Sequence, residues 1–136
     1  MARILALDYG GKRTGIASTD PMQLIASPLQ TVNTNELLQF FKTYTRTEEV
    51  EALVVGQPTR YDGSFSPIEE RILEFITDFE KTFPEIKVFR INEMFTSKEA
   101  MQALIKSGVK KKQRRDKKLL DSTSATLILQ EFLAQQ

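Results

Sequence analysis

The chain has 136 residues, of which 40% are hydrophobic and 27% are charged, and this composition predicts a single globular domain over residues 1–136. It contains no cysteine and no histidine, which excludes disulfides, thiol chemistry, the commonest general base and the commonest zinc ligand. Any hydrolytic chemistry is therefore expected to use carboxylates, together with divalent cations that prefer oxygen ligands.

Charge is distributed unevenly along the chain. The totals are 19 basic and 18 acidic residues, but residues 110–118 alone hold seven basic residues and one acidic residue, which leaves 12 basic and 17 acidic residues elsewhere. A segment of charge +6 thus interrupts a body of charge −5. No N-terminal run resembles a signal peptide and no stretch approaches the length of a membrane span, so a cytoplasmic protein is expected.

Residues 3–19 predict a β-hairpin. Ile4 to Leu7 are all apolar, as in a strand buried on both faces, and Gly10-Gly11 offers the positive φ angles of a tight turn. In a purely structural hairpin, Asp8 would accept hydrogen bonds from turn amides. The Asp-x-Gly-Gly sequence also resembles the start of the nucleotide site of actin-like and sugar-kinase-like ATPases, but these need two domains, and the chain is long enough for one.

Asp8 is the candidate functional residue of this hairpin. The period of two in a strand places it on the same face as Ile4 and Ala6, at the strand's end. A carboxylate there is costly to bury unless a metal ion or a basic group lies beside it. Lys12 and Arg13, just past the turn, are the local basic candidates.

The rest of the chain predicts three more strands and four helices. Pro28 places the third strand at an edge or a bulge. Three antiparallel strands followed by strands that alternate with helices predict an α/β fold with a mixed five-stranded sheet, three strands antiparallel and then two parallel, flanked by helices. The strands are expected at residues 24–32, 51–55 and 86–91, and the helices from a cap at Asn33 or Thr34 to about Thr47, from Ser66 to about Phe83, from Thr96 or Ser97 to Gly108, and from about Lys118 to Ala134.

The loop from Gly56 to Ser66 follows a buried strand at its carboxyl end, where α/β sheets usually carry their sites. Gln57 and Arg60, and with them Tyr61, are expected to face a substrate. The alternative is a surface loop with no such role.

Three carboxylates occupy comparable places: Asp8 and Glu93 at the ends of the first and last strands, and Asp121 in the first turns of the final helix. Asp121 is in register with the apolar stripe of its helix, made of Ala125, Ile128, Leu129 and Phe132. It could simply pair with a lysine or act as a near-terminal capping acid. Three convergent carboxylates without histidine are also what a two-metal phosphodiester site requires, with two ions about 4 Å apart. Asp8, Glu93 and Asp121 are therefore candidate ligands for Mg²⁺ or Mn²⁺.

Four motifs in order resemble the YqgF/RuvX family. They are Asp8-Tyr-Gly-Gly-Lys-Arg-Thr-Gly-Ile-Ala17, Val54-Val-Gly-Gln-Pro58 with Asp62-Gly63, Asn92-Glu-Met-Phe-Thr-Ser97, and Asp121 through Ala125-Thr-Leu-Ile-Leu-Gln130. The resemblance implies the RNase H-like fold of Holliday-junction resolvases and an activity as a resolvase or a pre-16S rRNA nuclease.

Carried over to this chain, the resemblance places the family's acidic positions at Asp8, Glu93 and Asp121 and its basic position after the turn at Arg13. The family usually has Asp-Glu-Arg where this chain has Asn92-Glu93-Met94. One acid and one base of the pattern are missing, so a weaker but retained metal site is expected.

The expected function is a metal-dependent nuclease on structured nucleic acid, acting at the 5′ end of precursor 16S rRNA, with Lys12 and Arg13 on phosphate. The alternatives are a Holliday-junction resolvase, a binding module of the same fold that does not cut, and a nucleotide-binding module of the ATPase type. A resolvase would need a two-fold homodimer, whereas trimming one RNA end needs a monomer.

The basic run from Lys110 to Lys118 has two possible roles. It could be a solvated linker, which is the commoner role of charge runs. It is instead expected to clamp phosphates through Arg114 and Arg115, because it lies between the helix after Glu93 and the helix that carries Asp121.

Overall fold

The computed structural model describes residues 2–58, 67–92 and 117–135, with side chains in the last segment from Thr123 onwards. Within these residues, five strands and three α-helices are present, and none of the helices is long and apolar enough to cross a membrane. The strands are β1 (Arg3–Asp8), β2 (Arg13–Thr19), β3 (Ala26–Asn33), β4 (Val50–Gln57) and β5 (Lys87–Asn92), and the helices are α1 (Leu37–Tyr44), preceded by a 3₁₀ turn (Thr34–Glu36), α2 (Glu69–Thr82) and α3 (Lys117–Ala134).

The five strands form one mixed sheet in the order β3-β2-β1-β4-β5. Strands β1, β2 and β3 are antiparallel neighbours, whereas β4 is parallel to β1 and β5 is parallel to β4. The α/β fold with three antiparallel strands followed by two parallel ones is therefore confirmed. Each parallel strand follows a connection long enough to carry the chain back to the starting edge of the sheet.

Strand β3 lies at the edge of the sheet and contains a bulge. Its register with β2 shifts between two pairs, since Ile16 lies opposite Gln30 while Ala17 lies opposite Pro28, which leaves Leu29 as the extra residue. Proline has no N–H to donate to a ladder and is confined to such positions. Both consequences expected of Pro28 are confirmed.

The β1–β2 turn requires glycine for a different reason from the one expected. Neither Gly10 nor Gly11 has a φ angle between +20° and +160°, so the positive-φ interpretation was wrong. A Cβ atom at Gly10 would instead collide with the backbone carbonyl oxygen of Arg13. The turn therefore needs glycine because two stretches of backbone pass close together.

The two faces of the sheet are packed by different helices and different side chains. One face, called the aromatic face here, packs against α1 and α2 and contains Phe41, Phe75, Phe79 and Phe83. The other, called the alanine face, packs against α3 and contains Ala6, Ala17, Ala52 and Ala125 beside larger aliphatic residues. Because neighbouring residues of a strand point to opposite faces, Leu5 and Leu7 belong to the aromatic face, and Ile4 belongs to the alanine face.

Several expected boundaries differ from the observed ones. The helix after β3 begins as a 3₁₀ turn, and neither candidate cap, Asn33 or Thr34, caps it through its side chain. The Thr34 hydroxyl is used elsewhere, since it donates to the carbonyl of Gly10 at 2.6 Å. Strand β4 extends to Gln57, so the loop that follows begins later than expected. The helix expected to end at Gly108 lies outside the described residues.

Candidate nuclease site

The carboxyl ends of the three parallel strands lie along one edge of the sheet, called the carboxyl edge here. Strand β1 ends at Asp8, β4 at Gln57 and β5 at Asn92, and Gln57 lies directly opposite Asn92. Strand β4 separates β1 from β5. Neighbouring strands are about 4.8 Å apart, so the ends of β1 and β5 are about 10 Å apart.

Asp8 lies on the alanine face of this edge. It is the residue after Leu7 and therefore follows Ile4 and Ala6 in the alternation of β1. It is half-buried, and across the hairpin it pairs with Gly15. A short side chain at the end of a buried strand has few alternative positions, so its carboxylate is held where the edge meets solvent.

Helix α3 runs from the carboxyl edge toward the opposite edge. Near its end, the Phe132 ring lies 5.1 Å from that of Phe89, and Phe132 shares a cleft with Ile4 and Ala52 at the amino ends of the parallel strands. Asp121 precedes Phe132 by eleven residues, or about 16 Å of helix. The turn of α3 that contains Asp121 is therefore at the end of the helix away from the amino ends of the parallel strands.

Arg13 and Lys12 lie on opposite sides of the turn after Asp8. Arg13 begins β2 and shares the alternation of Gly15 and Ala17, so it is on the alanine face in the position diagonal to Asp8, where cross-strand neighbours are about 7–8 Å apart. It is half-buried. The Lys12 side chain is exposed, next to the 3₁₀ turn.

Five of the expected site residues lie outside the described residues, namely Arg60, Tyr61, Glu93, Arg114 and Arg115. Glu93 immediately follows Asn92 at the end of β5. Among the residues that the structure does describe, no three acidic side chains come close enough together to form a metal site. The metal-ligand assignment of Asp8, Glu93 and Asp121 therefore stays a prediction.

Gln57, which was expected to face a substrate, belongs to a polar network on the aromatic face. Its amide nitrogen donates to Oε2 of Glu69 at 3.2 Å. Arg90 forms a two-pronged ion pair with the same carboxylate, at 2.7 Å and 3.0 Å, and also donates to the backbone carbonyls of Val55 and Gly56. The network joins α2 to the ends of β4 and β5.

The protonation of Glu69 reflects this network. Burial raises the pKa of the carboxyl group, but hydrogen bonds from Arg90 and Gln57 and the charge of Arg90 outweigh it and hold the pKa below its ordinary value. Neither Glu69 nor Arg90 was expected from the sequence to belong to this edge. The alternation of β5 could have indicated Arg90, because this charged residue lies two positions after Val88 and therefore on the same inward face.

Ser124 is an unexplained polar residue on the alanine face. Its side chain is 2% exposed, and its hydroxyl has no hydrogen-bond partner among the described residues. It lies on α3, three residues after Asp121 and next to buried Ala125. Buried hydroxyls are normally hydrogen-bonded, so this one marks a place for a polar group such as a water molecule.

Comparison with known proteins gives a consistent result. A family model described as RuvX, Holliday junction resolvase, matches residues 2–135. Three relatives carry the name "Putative pre-16S rRNA nuclease". That of Christiangramia forsetii is 54% identical over 133 residues, which are 98% of this chain and 98% of that protein. Those of Flavobacterium johnsoniae and Amoebophilus asiaticus are each 49% identical over 134 residues, covering 98% of this chain and 97% and 95% of those proteins.

Proposed function

Because this chain belongs to the RuvX family, we propose that it is a metal-dependent nuclease of structured nucleic acid that processes precursor 16S rRNA in the cytoplasm. The names of the relatives favour this RNA as the substrate. The structural observation that carries the proposal is the position of Asp8 at the carboxyl edge, on the face covered by α3. Sheets with parallel strands commonly carry their sites at this edge.

The proposed metal ligands are Asp8, Glu93 and Asp121, with Mg²⁺ or Mn²⁺ as the cation. The available donors fit this choice, since a chain without histidine or cysteine offers carboxylate oxygens, which hard cations prefer. The hydroxyl of Ser124, which is buried and has no hydrogen-bond partner among the described residues, supports it too, because it lies on the face to which Asp8 and α3 belong. When bound, divalent ions supply an activated water and neutralise charge on the phosphate that is attacked.

The side chains at this edge would position the substrate. Arg13, diagonal to Asp8 on the same face, is placed to hold a phosphate beside the carboxylates, and its guanidinium can bind two phosphate oxygens at once. Lys12 would add a second cation on the other side of the turn. Three further arginines are proposed substrate contacts. Arg60 follows β4 in the sequence, and Arg114 and Arg115 precede α3.

A four-way DNA junction is the second candidate substrate, because the matching family model is described as a Holliday junction resolvase. The two substrates imply different assemblies. Symmetric cleavage of a junction requires two sites related by a two-fold axis, hence a homodimer, whereas one RNA end requires one site on a monomer.

The test is to incubate the purified protein with a labelled precursor RNA and a labelled junction, with Mg²⁺, with Mn²⁺ and with chelator. Cleavage is expected only with the cation. The change Asp8→Asn is expected to reduce it by at least about 100-fold, because even outer partners of metal ligands cost 10–100-fold when altered. The matched control is Asp78→Asn, which neutralises an exposed carboxylate on α2 and is expected to cut normally.

Three results would contradict the proposal. Cleavage that persists in chelator would exclude the metal, and an Asp8→Asn protein as active as Asp78→Asn would exclude the site. Tight, salt-sensitive binding of both nucleic acids by the natural protein without any cleavage would instead identify a binding module of the same fold.

A further inference from the structure

A polar groove lies at the carboxyl edge on the aromatic-face side. It has a volume of about 450 Å³ and lies between the β1–β2 turn, the 3₁₀ turn after β3 and the start of α2. The residues that matter here are Tyr9, Lys12, Asn33, Asn35, Glu36 and Arg71, all of which line it.

The walls of the groove are held in place by hydrogen bonds. The Thr34 amide donates to the carbonyl of Lys12 at 2.9 Å, and the Thr34 hydroxyl donates to the carbonyl of Gly10 and lies 2.9 Å from the hydroxyl of Thr14. These contacts tie the β1–β2 turn to the end of β3. Tyr9 forms part of the lining with its ring packed 5.8 Å from that of Phe75. The groove is therefore a formed feature of the fold.

The two cations of the groove, Lys12 and Arg71, form no ion pair with any acid that the structure describes. The side chains of Lys12 and Arg71 are both exposed, and no carboxylate of the described residues lies within salt-bridge distance of either. In contrast, Arg3 pairs with Glu48 and Arg90 pairs with Glu69. Arg71 lies over the turn and makes one long contact, 3.4 Å, to the carbonyl of Gly11. Most of its five N–H donors are therefore available to a ligand.

The ligand chemistry follows from these groups. Two cations, together with the side-chain amides of Asn33 and Asn35, offer many donors and match a phosphate anion. Among the described residues of the lining, Glu36 is the one acid and would repel that ligand, so their side chains carry a net charge of +1. The donors come from three elements: the hydrogen bonds above tie the first two together, and α2 packs against them through the contact between Phe75 and Tyr9.

Tyr9, which lines the groove, immediately follows Asp8 at the end of β1, but the two residues belong to opposite faces of the sheet. Asp8 is on the alanine face, whereas Tyr9 packs against the aromatic face. A nucleic-acid strand that crosses the carboxyl edge with one phosphate at Asp8 would bring a neighbouring phosphate into the groove.

We propose that this groove binds a backbone phosphate of the substrate strand next to the cleavage point, with Lys12 and Arg71 as its cationic contacts. Arg71 is the contact that no sequence motif indicated, since it lies on the exposed side of an ordinary amphipathic helix. The proposal rests on the proposed function, because it names how the same site holds its substrate.

The experiment measures binding without cleavage, in chelator, with a labelled single-stranded RNA oligonucleotide over a range of salt concentrations. Each phosphate contact to a single strand contributes a slope of about −0.7 in log affinity against log salt. The double variant Lys12→Gln with Arg71→Gln is expected to flatten the slope by about 0.7, because one phosphate loses its cationic contacts, and to bind about 5-fold more weakly at about 0.1 M salt. Arg71→Lys is expected to keep the slope, and Glu36→Gln is expected to tighten binding.

The matched control is Arg46→Gln with Lys87→Gln. It also removes one arginine and one lysine from exposed positions, but both lie toward the amino end of the parallel strands. It is expected to bind with the natural slope. Thermal unfolding of each variant checks that the exposed substitutions leave the fold intact.

The groove proposal is overturned if the slope of the Lys12/Arg71 variant equals that of the control, or if the natural protein does not bind the oligonucleotide. Its failure is separable from failure of the nuclease proposal. Binding that depends on the groove in a protein that never cuts would reject the nuclease and keep the groove, whereas cleavage with an unchanged slope would do the reverse.

Discussion

The two faces of the sheet differ in the size of the side chains that fill them. On the aromatic face, phenylalanine rings fill a wide space between the sheet and two helices, with centroids 5.0 Å apart in the pairs Phe41–Phe79 and Phe79–Phe83. On the alanine face, small residues such as Ala17 and Ala125 are fully buried, so that the backbone of α3 can approach the strands closely. Bulk buries apolar area and stabilises the fold. Close approach of this kind would be needed for short carboxylate side chains from a strand and a helix to bind the same ion.

The polar ends of the two faces differ in the same way. The aromatic face ends at the carboxyl edge in the ion pair between Glu69 and Arg90, in which each group has a partner. The alanine face ends there in Asp8 and in the turn of α3 that contains Asp121. A carboxylate held by a two-pronged arginine pair is a poor metal ligand, so Glu69 is expected to contribute to stability rather than to bind a cation. The proposed chemistry belongs to the alanine face. The variants below test this division.

The largest expected effect is on stability, from Phe79→Ala. This residue is fully buried and touches three other phenylalanine rings. Its truncation is expected to lower the free energy of unfolding by about 3–5 kcal/mol. Urea unfolding measures this, with Phe89→Ala, at a 39% exposed site, as a control that loses much less. Cleavage per folded molecule is expected to be unchanged, and a matching loss of activity in the folded protein would contradict the division between faces.

Glu69→Gln is expected to lower the free energy of unfolding by about 2 kcal/mol at neutral pH, since it leaves Arg90 without its partner. The pKa of Glu69 is below its ordinary value of 4.5 in the folded state. The natural carboxylate therefore contributes stability that is fully present above about pH 4.5 and is lost as the pH falls through the folded pKa. The variant is expected to have a flatter acid side in its profile of stability against pH. If both proteins lose stability in parallel below that pH, the ion pair is not the cause.

Much of this architecture could be predicted from the sequence, because it depends on local patterns. The apolar run of β1, the turn signals and the order of strands and helices predict the mixed sheet, and Pro28 predicts the edge strand with its bulge. The close backbone contact at Gly10 could not be seen, since it depends on where Arg13 returns. The same holds for Arg90, whose partners come from β4 and α2, and for Arg71, whose neighbours come from the β1–β2 turn and the end of β3.

In the candidate site too, the features that depend on local sequence could be predicted, and the contacts between distant elements could not. Asp8 could be placed at the end of its strand from periodicity alone, and its face follows from the alternation with Ile4 and Ala6. Gln57 was expected at the carboxyl edge, and its backbone is there. The hydrogen bond from the Gln57 amide to Glu69 could not be predicted, because Glu69 lies on a different element, twelve residues later in the chain.

A smaller effect on stability, but a larger one on activity, is expected from Ala125→Leu. The site is fully buried on the alanine face, so extra carbons are expected to cost about 1–3 kcal/mol and to push the start of α3 away from Asp8. Ile128→Val, on the same helix, costs about 0.5–1.5 kcal/mol without adding volume and serves as the control. Cleavage is expected to fall in Ala125→Leu and to persist in Ile128→Val. Equal activity in the two folded proteins would mean that the spacing between α3 and the sheet does not matter to the site.

The smallest expected effect concerns the basic run, whose last two lysines, Lys117 and Lys118, begin α3 at the carboxyl edge. The rest of the run, residues 110–116, lies outside the described residues, so its place beside the metal site stays a prediction. If the run clamps phosphates, the double change Arg114→Ala with Arg115→Ala is expected to flatten the salt dependence of single-strand binding by about 1.4, for every sequence tested.

Combining this change with the groove variant tests whether one nucleic-acid strand contacts the run and the groove at the same time or only one of them at a time. If a nucleic-acid strand contacts the groove and the run at once, the two losses, about 0.7 and about 1.4, are expected to add to a slope change of about 2.1, because distant contacts contribute independently. A combined change no larger than either alone would mean that the run and the groove bind the same phosphates in alternative ways. An unchanged slope in the Arg114/Arg115 protein would leave the run as a solvated linker, and the alanine face would then hold its substrate through Arg13 without the run.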